Sequence, residues 1–192
     1  MENSGFRNPG AARGSSLVEL AIILPVLMLL VLGVVDFARA IQFNNILVAM
    51  SREGANLASR TTTPTQDIIT ALNSTAAPLA MSGNGMIYIT QIIGAKVKST
   101  CTVSCALYPK VEEQTRAITG DTTLPSRVWA CPSTFNSSDG SCPSLGTSLT
   151  ATLPVTLLEG ERVYAVETLY NYQVIVNYVM KPGQKLYSLT VL

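Results

Sequence analysis

A long apolar run near the N-terminus constrains the fold of this chain more than any other feature. No charged residue interrupts Leu20 to Val35, and Leu17 and Val18 extend the run on the other side of Glu19. Together they approach the roughly twenty residues that a helix needs to cross the hydrocarbon of a bilayer. The sequence therefore predicts a membrane span over about 17–35. Pro25 removes one backbone donor within it, so a kink is expected there.

The helix is predicted to continue beyond the membrane as an amphipathic stalk over 36–59, because no proline occurs in that stretch. Its apolar residues recur near helical spacing: Phe37, Ala40, Ile41, Leu47, Val48, Ala55 and Ala58. At about 1.5 Å per residue, a helix from Leu17 to Ser59 would be on the order of 65 Å long. Two interpretations of this apolar stripe stay open. The stalk packs into a filament or against a globular head, or the helix packs only within its own domain.

Composition argues against several classes of function. The 192 residues carry a formal net charge of +1 and no histidine. Without a basic block, nucleic acid is not an expected partner. Without histidine, the commonest general base and most zinc sites are unavailable. We therefore expect neither an enzyme nor a cofactor.

The cysteines all lie in the C-terminal half, at Cys101, Cys105, Cys131 and Cys142. An even number after a membrane span favours two disulfides in an oxidising compartment, with this domain outside the cytoplasm. A four-cysteine metal site is the rival interpretation, but its pairs would usually be spaced C-x-x-C. The connectivity stays open, and local pairing of Cys101 with Cys105 and of Cys131 with Cys142 is preferred.

The remainder, 61–192, is predicted to be an α+β head with a small antiparallel sheet. A helix is expected from Pro64 to about Leu79, with Thr63 as its N-cap, followed by a turn over Met81 to Gly85. Strands are expected over 86–99, 148–158, 161–179 and 185–192. Residues 99–147 read as a loop-rich, disulfide-stapled insertion with short strands such as Arg127 to Ala130, in which Trp129 packs in the core.

The residues before the apolar run suggest proteolytic processing. A short basic leader, 1–14, ends in Gly14 and is followed directly by Ser15. A cut after Gly14 would make Ser15 the first residue and Glu19 the fifth. This glycine-to-glutamate spacing is the pattern of type IV pilin precursors. The long helix would then comprise residues 15–60.

The segment RGSSLVELAIILPVLMLLVLGVVDFARA resembles the TadE-like family of Tad (tight adherence) pilus proteins. Its matching elements are an Arg-Gly pair, a Val-Glu-x-Ala segment, a Leu-Pro, a leucine-rich run and an acid followed by an arginine: Arg13–Gly14, Val18–Ala21, Leu24–Pro25, Leu27–Leu32, and Asp36 with Arg39. The resemblance extends to the Arg-Glu-Gly-Ala core within Asn44 to Arg60. Leu20 replaces a usual aromatic residue, and Asp36 a commoner glutamate.

The resemblance implies a pilin-like minor pilin or pseudopilin. A prepilin peptidase would cut after Gly14, and Glu19 of one subunit would neutralise the new α-amino group of its neighbour. The expected partners are other pilin subunits, the peptidase, an inner-membrane assembly platform and the lipid bilayer. The protein would be a single-pass protein of the cytoplasmic membrane with its C-terminal domain outside the cytoplasm. It would be incorporated in an extracellular pilus for adherence or secretion.

Other interpretations of the N-terminus stay open. Ala38-Arg39-Ala40 offers the small-x-small pattern of a secretory signal peptide, although the apolar run is longer than usual. An uncut signal anchor is the other possibility, which would make the chain a single-span periplasmic adaptor or binding protein. Arginines on both sides of the span leave the positive-inside signal weak.

Overall fold

The computed structural model describes residues 10–96, 107–146, 149, 156–175 and 183–192, with side chains from residue 17 onward. Within these ranges, one long helix is followed by two short helices and a four-stranded antiparallel sheet of order β2-β1-β3-β4. The predicted α+β class is confirmed. The long helix packs on one face of the sheet, and Val128, Trp129 and Cys142 pack on the other.

Helix α1 spans Gly10–Arg60 and runs without interruption through Pro25, so the predicted kink stays a prediction. Its second half packs on the sheet through a stripe that advances by alternate steps of four and three residues: Asp36, Ala40, Phe43, Leu47 and Met50. Phe37 and Ile41 lie one position beyond this stripe and are 62% and 48% exposed. The sheet therefore does not cover these two residues of the predicted apolar stripe, and packing of that stripe in a filament stays a prediction.

The predicted second helix is shorter than expected. Helix α2 spans Thr65–Thr75, and α3 spans Met81–Asn84 where a turn was predicted. Pro78 explains the early end, because proline disfavours helical backbone at the residue before it and cannot continue the helical hydrogen bonds. Thr63 is not the N-cap. Pro64 occupies that position, and no side chain caps the helix.

The strands are β1 (Gly85–Lys96), β2 (Leu107–Arg116), β3 (Arg162–Tyr172) and β4 (Gln184–Val191). Strands β1, β3 and β4 confirm predicted strands, although β3 ends at Tyr172 and 176–182 lie outside the described residues. Strand β2 was missed inside the predicted insertion. It is an edge strand with few buried apolar positions, so its sequence alternates weakly. Most of the predicted strand 148–158 lies outside the described residues, and 156–158 are not a strand.

The predicted strand over Arg127 to Ala130 was also wrong. The backbone N–H groups of Arg127 and Val128 donate to the carboxylate of Glu167, at 2.8 and 3.2 Å. The N–H of Trp129 donates to the hydroxyl of Ser126 at 3.3 Å. Side chains thus satisfy donors that a strand would direct to a neighbouring strand.

The sheet carries a hydrophobic cluster on each face. The larger lies beneath α1 and α2 and includes Leu47, Ile69, Ile87 and Val166. The smaller gathers Ile92, Val111, Val128, Trp129 and Ala165 beside the Cys131–Cys142 disulfide. Core packing of Trp129 is confirmed, and so is this one predicted cysteine pair. Cys101 and Cys105 lie outside the described residues.

Candidate functional site

The first half of α1 is an exposed apolar surface. The most apolar stretch of the helix reaches a mean hydropathy of 2.8 and has none of its residues buried within the molecule. Among the described residues, this is one helix that is long and apolar enough to cross a membrane. In water such a surface would be costly, since each apolar side chain left exposed forgoes about 1.5–3 kcal/mol of burial energy. The segment therefore needs lipid or other helices around it.

The predicted processing and assembly residues lie on this same helix. Gly14 and Ser15 fall within its first turns, because α1 begins at Gly10. Glu19 is exposed among exposed apolar neighbours such as Val18 and Leu20. The structure thus places Gly14, Glu19 and Pro25 on one continuous helix.

Asp36 is the first residue of α1 to be buried after the apolar stretch, and its exposed fraction is 0%. The backbone N–H of Ile175, just past β3, donates to both carboxylate oxygens at 3.0 and 3.1 Å. The hydroxyl of Tyr172 donates to the backbone carbonyl of Asp36 at 3.0 Å and lies 3.4 Å from its Oδ1. Burial, reinforced by the nearby Asp36 charge, raises the pKa of the Tyr172 phenol. Asp36 therefore fastens the start of the packed half of α1 to the end of β3.

Aromatic packing surrounds this junction. The ring of Phe43 meets Tyr170 and Tyr172 edge-on, with centroids 5.6 and 5.5 Å apart. The guanidinium of Arg39 lies 5.7 Å from the centroid of Phe43. Such pairs add to simple burial. The junction is thus a packed, hydrogen-bonded unit.

Farther along α1, hydroxyl groups connect the helix to the sheet. Ser51 Oγ lies 2.9 Å from both Ser188 Oγ and Thr190 Oγ1 on β4. The hydroxyl of Thr168 on β3 donates to the carbonyl of Leu47 at 3.0 Å. These bonds satisfy polar groups that the packing removes from water.

Gly54 lets the helix approach its neighbours closely. A Cβ at this position would lie 2.9 Å from Leu72 Cδ1 on α2 and 3.0 Å from Val166 Cγ1 on β3. Both distances are shorter than ordinary carbon contacts, which are about 3.5–4.0 Å. Gly54 is the glycine of the Arg-Glu-Gly-Ala core, so this part of the sequence pattern has a packing role.

On the opposite face of the sheet, Glu167 is fully buried on β3. Besides the N–H groups of Arg127 and Val128, it accepts bonds from the hydroxyls of Ser126 and Tyr187, the latter at 3.0 Å. Burial raises the pKa of Glu167, and these four bonds oppose the rise. Because both carboxylate oxygens are occupied by the chain's own donors, Glu167 anchors the 126–129 loop.

Sequence reasoning missed both buried acids as organising residues. Asp36 stood out only as part of a family resemblance, and its partners follow it by more than a hundred residues in the chain. Glu167 interrupts an alternating apolar strand, which is the one signal that could have marked it. The Cys131–Cys142 disulfide uses two thiolates that the rival four-cysteine metal site would require.

These features define a class of protein with one long N-terminal helix, apolar and exposed over its first half and packed on its own α+β head over its second. Residues 14–56 match the family model described as TadE-like protein. The match confirms the resemblance drawn from the sequence. It begins at Gly14, includes Glu19, Asp36 and Gly54, and ends within α1. No curated protein and no solved structure matches the chain significantly.

Proposed function

We propose that this protein is a minor pilin or pseudopilin of a Tad-type pilus, made as a precursor and assembled through α1 for pilus biogenesis, adherence or secretion. The observation that carries the proposal is the TadE-like match over residues 14–56, which coincides with a helix whose first half has no covering within the molecule. The same surface suits a bilayer before assembly and neighbouring helices afterwards. Residues 1–14 are the leader, 15–60 the assembly helix and 61–192 the head.

Processing and pairing follow from the chemistry of the N-terminus. Cleavage after Gly14 would leave Ser15 with an α-amino group that is charged near neutral pH, since its ordinary pKa is about 7.7–8.0. A carboxylate such as Glu19 is costly among apolar groups unless it has a partner. The amine of a neighbouring subunit supplies one, and such a pair would also fix the register between subunits.

The head would stay outside the cytoplasm while α1 moves from the bilayer into the filament. The Cys131–Cys142 disulfide supports this orientation, because disulfides persist in oxidising compartments. The bonds at Asp36 and Ser51 fasten the helix to the sheet, so a force that extracts α1 carries the head with it. The peptidase and the membrane platform would act on α1 before this step.

A second candidate function is that of an unprocessed, single-span periplasmic adaptor or binding protein. The apolar helix would serve equally as a permanent anchor, and length and composition favour neither role. Such a protein would keep residues 1–14 and remain with the membrane fraction.

The mass and N-terminal sequence of the protein test the proposal in cells that contain the matched peptidase. We expect a chain that begins at Ser15, and loss of that species in cells that lack the peptidase. Gly14→Leu should block the cut, whereas Gly10→Leu, in the same leader, should leave it intact. A chain that keeps residues 1–14 in peptidase-positive cells would exclude processing and favour the anchored adaptor.

A further inference from the structure

A row of side chains crosses the sheet on the α1 face beyond the end of α1. Gln91 of β1 is paired with Glu113 of β2 on one side and with Tyr164 of β3 on the other. Tyr164 lies two residues from Val166, which contacts α1 at Gly54, so the row is on the helix-bearing face. Helix α1 ends at Arg60, and the row forms the floor of a groove.

The groove has a volume of about 380 Å³, within the range of small-molecule sites, which is roughly 300–1,000 Å³. Its walls are the connection between α1 and α2, the first turn of α2 up to Gln66, and the loop that carries Asp139 and Ser141. Thr115 of β2 completes the lining beside Glu113.

Hydrogen bonds hold the walls in place. With its amide oriented so that the nitrogen faces both acceptors, Gln66 donates to the carbonyls of Arg116 and Asp139, at 3.0 and 3.2 Å, and so joins α2 to the loop. Asp139 Oδ1 accepts the N–H and the hydroxyl of Ser141, at 3.0 and 2.8 Å. These bonds lower the pKa of Asp139 and keep it charged. The groove is therefore built before any ligand arrives, which reduces the entropy cost of binding.

Contacts among the lining residues also orient the carboxylate of Glu113 in the floor of the groove. Glu113 Oε1 accepts the hydroxyl of Thr115 at 3.1 Å and lies 3.4 Å from the hydroxyl of Thr65 on the facing wall. These contacts fix one oxygen of the carboxylate, and no described contact uses the other. The side chain of Gln91 beside it is half-buried, with an amide that can both donate and accept.

The chemistry of the lining restricts the ligand. The described lining consists largely of hydroxyls, amides and two carboxylates, and it includes no lysine or arginine side chain. A phosphate or carboxylate ligand would find no counter-charge, and an apolar ligand would bury these polar groups without partners. A ligand with many hydroxyl donors and an apolar ring face fits better, because the aromatic side chain of Tyr164 is part of the lining. We infer that this groove binds a neutral saccharide.

The position of the groove is consistent with a binding role. The packed half of α1 rises from Asp36 to Arg60, which is about 36 Å at 1.5 Å per residue. The groove lies at the Arg60 end, so it is at the opposite end of this packed half from the apolar stretch. A ligand could reach it while lipid or neighbouring helices cover residues 17–35.

Saturation-transfer difference NMR of the full chain in nanodiscs tests the inference, because sugar-headed detergents are then avoided. The probes are maltose, cellobiose, lactose and N,N′-diacetylchitobiose. We expect transfer to at least one, with contacts on its ring protons. Gln91→Ala and Glu113→Gln should each weaken that binding by at least about tenfold. Gln91→Ala removes a hydrogen-bonding amide from the floor, and Glu113→Gln replaces a charged acceptor oxygen with an amide donor. Glu112→Gln is the matched control, since Glu112 is the adjacent residue of β2, pairs with Arg162 and does not line the groove.

Three results would overturn the inference. The first is saturation transfer to none of the four saccharides, and the second is equal saccharide binding by the Gln91→Ala and Glu112→Gln variants. The third is an equal loss of saccharide binding in every variant, the control included. A lysine-rich peptide that binds with the same dependence on Glu113, in the absence of saccharide binding, would also reject it. None of these outcomes depends on whether the chain is cut after Gly14, so this test is independent of the test of the proposed function.

Discussion

The carboxylate of Asp36 accepts the backbone N–H of Ile175 on both of its oxygens, at 3.0 and 3.1 Å. This contact joins the residue where α1 leaves its apolar stretch to the end of the central strand β3. A charged acceptor makes a stronger hydrogen bond than a neutral one, and burial removes the competing water. The position of the head relative to the apolar stretch is therefore set at this point.

Asp36→Ala is expected to loosen the junction. It would leave the N–H of Ile175 and the hydroxyl of Tyr172 without this partner, at a cost of about 1–3 kcal/mol for each buried group. Hydrogen exchange by mass spectrometry should show faster exchange at 172–175, by about tenfold or more, with little change in β1.

Two variants separate this effect from general destabilisation. Tyr172→Phe removes only the hydroxyl and should give a smaller increase in exchange at the same residues. Asp67→Ala removes an exposed acid from α2 and should leave 172–175 unchanged. Unchanged exchange in Asp36→Ala would show that the junction does not depend on this carboxylate.

Glu19→Ala is expected to leave insertion and folding intact and to impair incorporation into filaments. Glu19 is exposed on the free half of α1, so its removal disturbs no contact within the described head. Pull-down of sheared pili should contain much less of this variant than of the wild type at equal membrane levels. Val18→Ala, the neighbouring exposed position, is the control. Wild-type incorporation of Glu19→Ala would reject the pairing role.

Stability is expected to fall as the pH rises above the ordinary carboxyl value of 4.5, because burial raises the pKa of Glu167 in the folded protein. Between the ordinary and the raised pKa, the folded state holds a proton that the unfolded state has released. Glu167→Gln should remove this dependence of stability on pH. The measurement is the midpoint of thermal unfolding, taken at intervals of about one pH unit from about pH 4 to about pH 8. Glu167→Ala should instead destabilise at every pH, by about 3 kcal/mol, since it orphans buried donors.

Glu112→Gln provides a control in which the contribution to stability changes with pH in the opposite direction. The hydrogen bond from Arg162 lowers the pKa of Glu112, so its contribution is present above the unfolded value and is lost as the pH falls. Removing it should therefore reduce stability at neutral pH and have little effect in acid. A pH profile of Glu167→Gln that parallels the wild type would exclude Glu167 as the source of the expected decline.

Gly54→Ala is expected to destabilise the head by about 1 kcal/mol, because crowding against Leu72 and Val166 outweighs the better helix propensity of alanine. Gly54→Val should cost more. Gly83→Ala is the matched control, since a Cβ there meets nothing within 4 Å. Chemical denaturation of the head measures both. An equal or higher stability of Gly54→Ala would show that the neighbours yield without cost.

Several elements were predictable because their patterns are local. The α1 helix follows from a continuous apolar run and then helical spacing, and β1, β3 and β4 follow from alternation with β-branched and aromatic residues. Strand β2 could not be predicted with these rules, because as an edge strand it buries few apolar side chains and its neighbours decide its conformation. The loop at Arg127 was mistaken for a strand because its donors bond to Glu167, far along the chain.

The features of the candidate site also separate into those that local sequence patterns predict and those that depend on tertiary contacts. The Gly14-to-Glu19 spacing and the apolar run are properties of consecutive residues, so the sequence by itself determined the long helix, its membrane-length half and its family resemblance. The tertiary structure alone decided which face of α1 packs, that Asp36 meets Tyr172 and Ile175, and that Gln91, Glu113 and Tyr164 share one row. The physical reason is that strand pairing and helix packing bring together groups distant in the chain, whereas helical and strand periodicity arises between near neighbours.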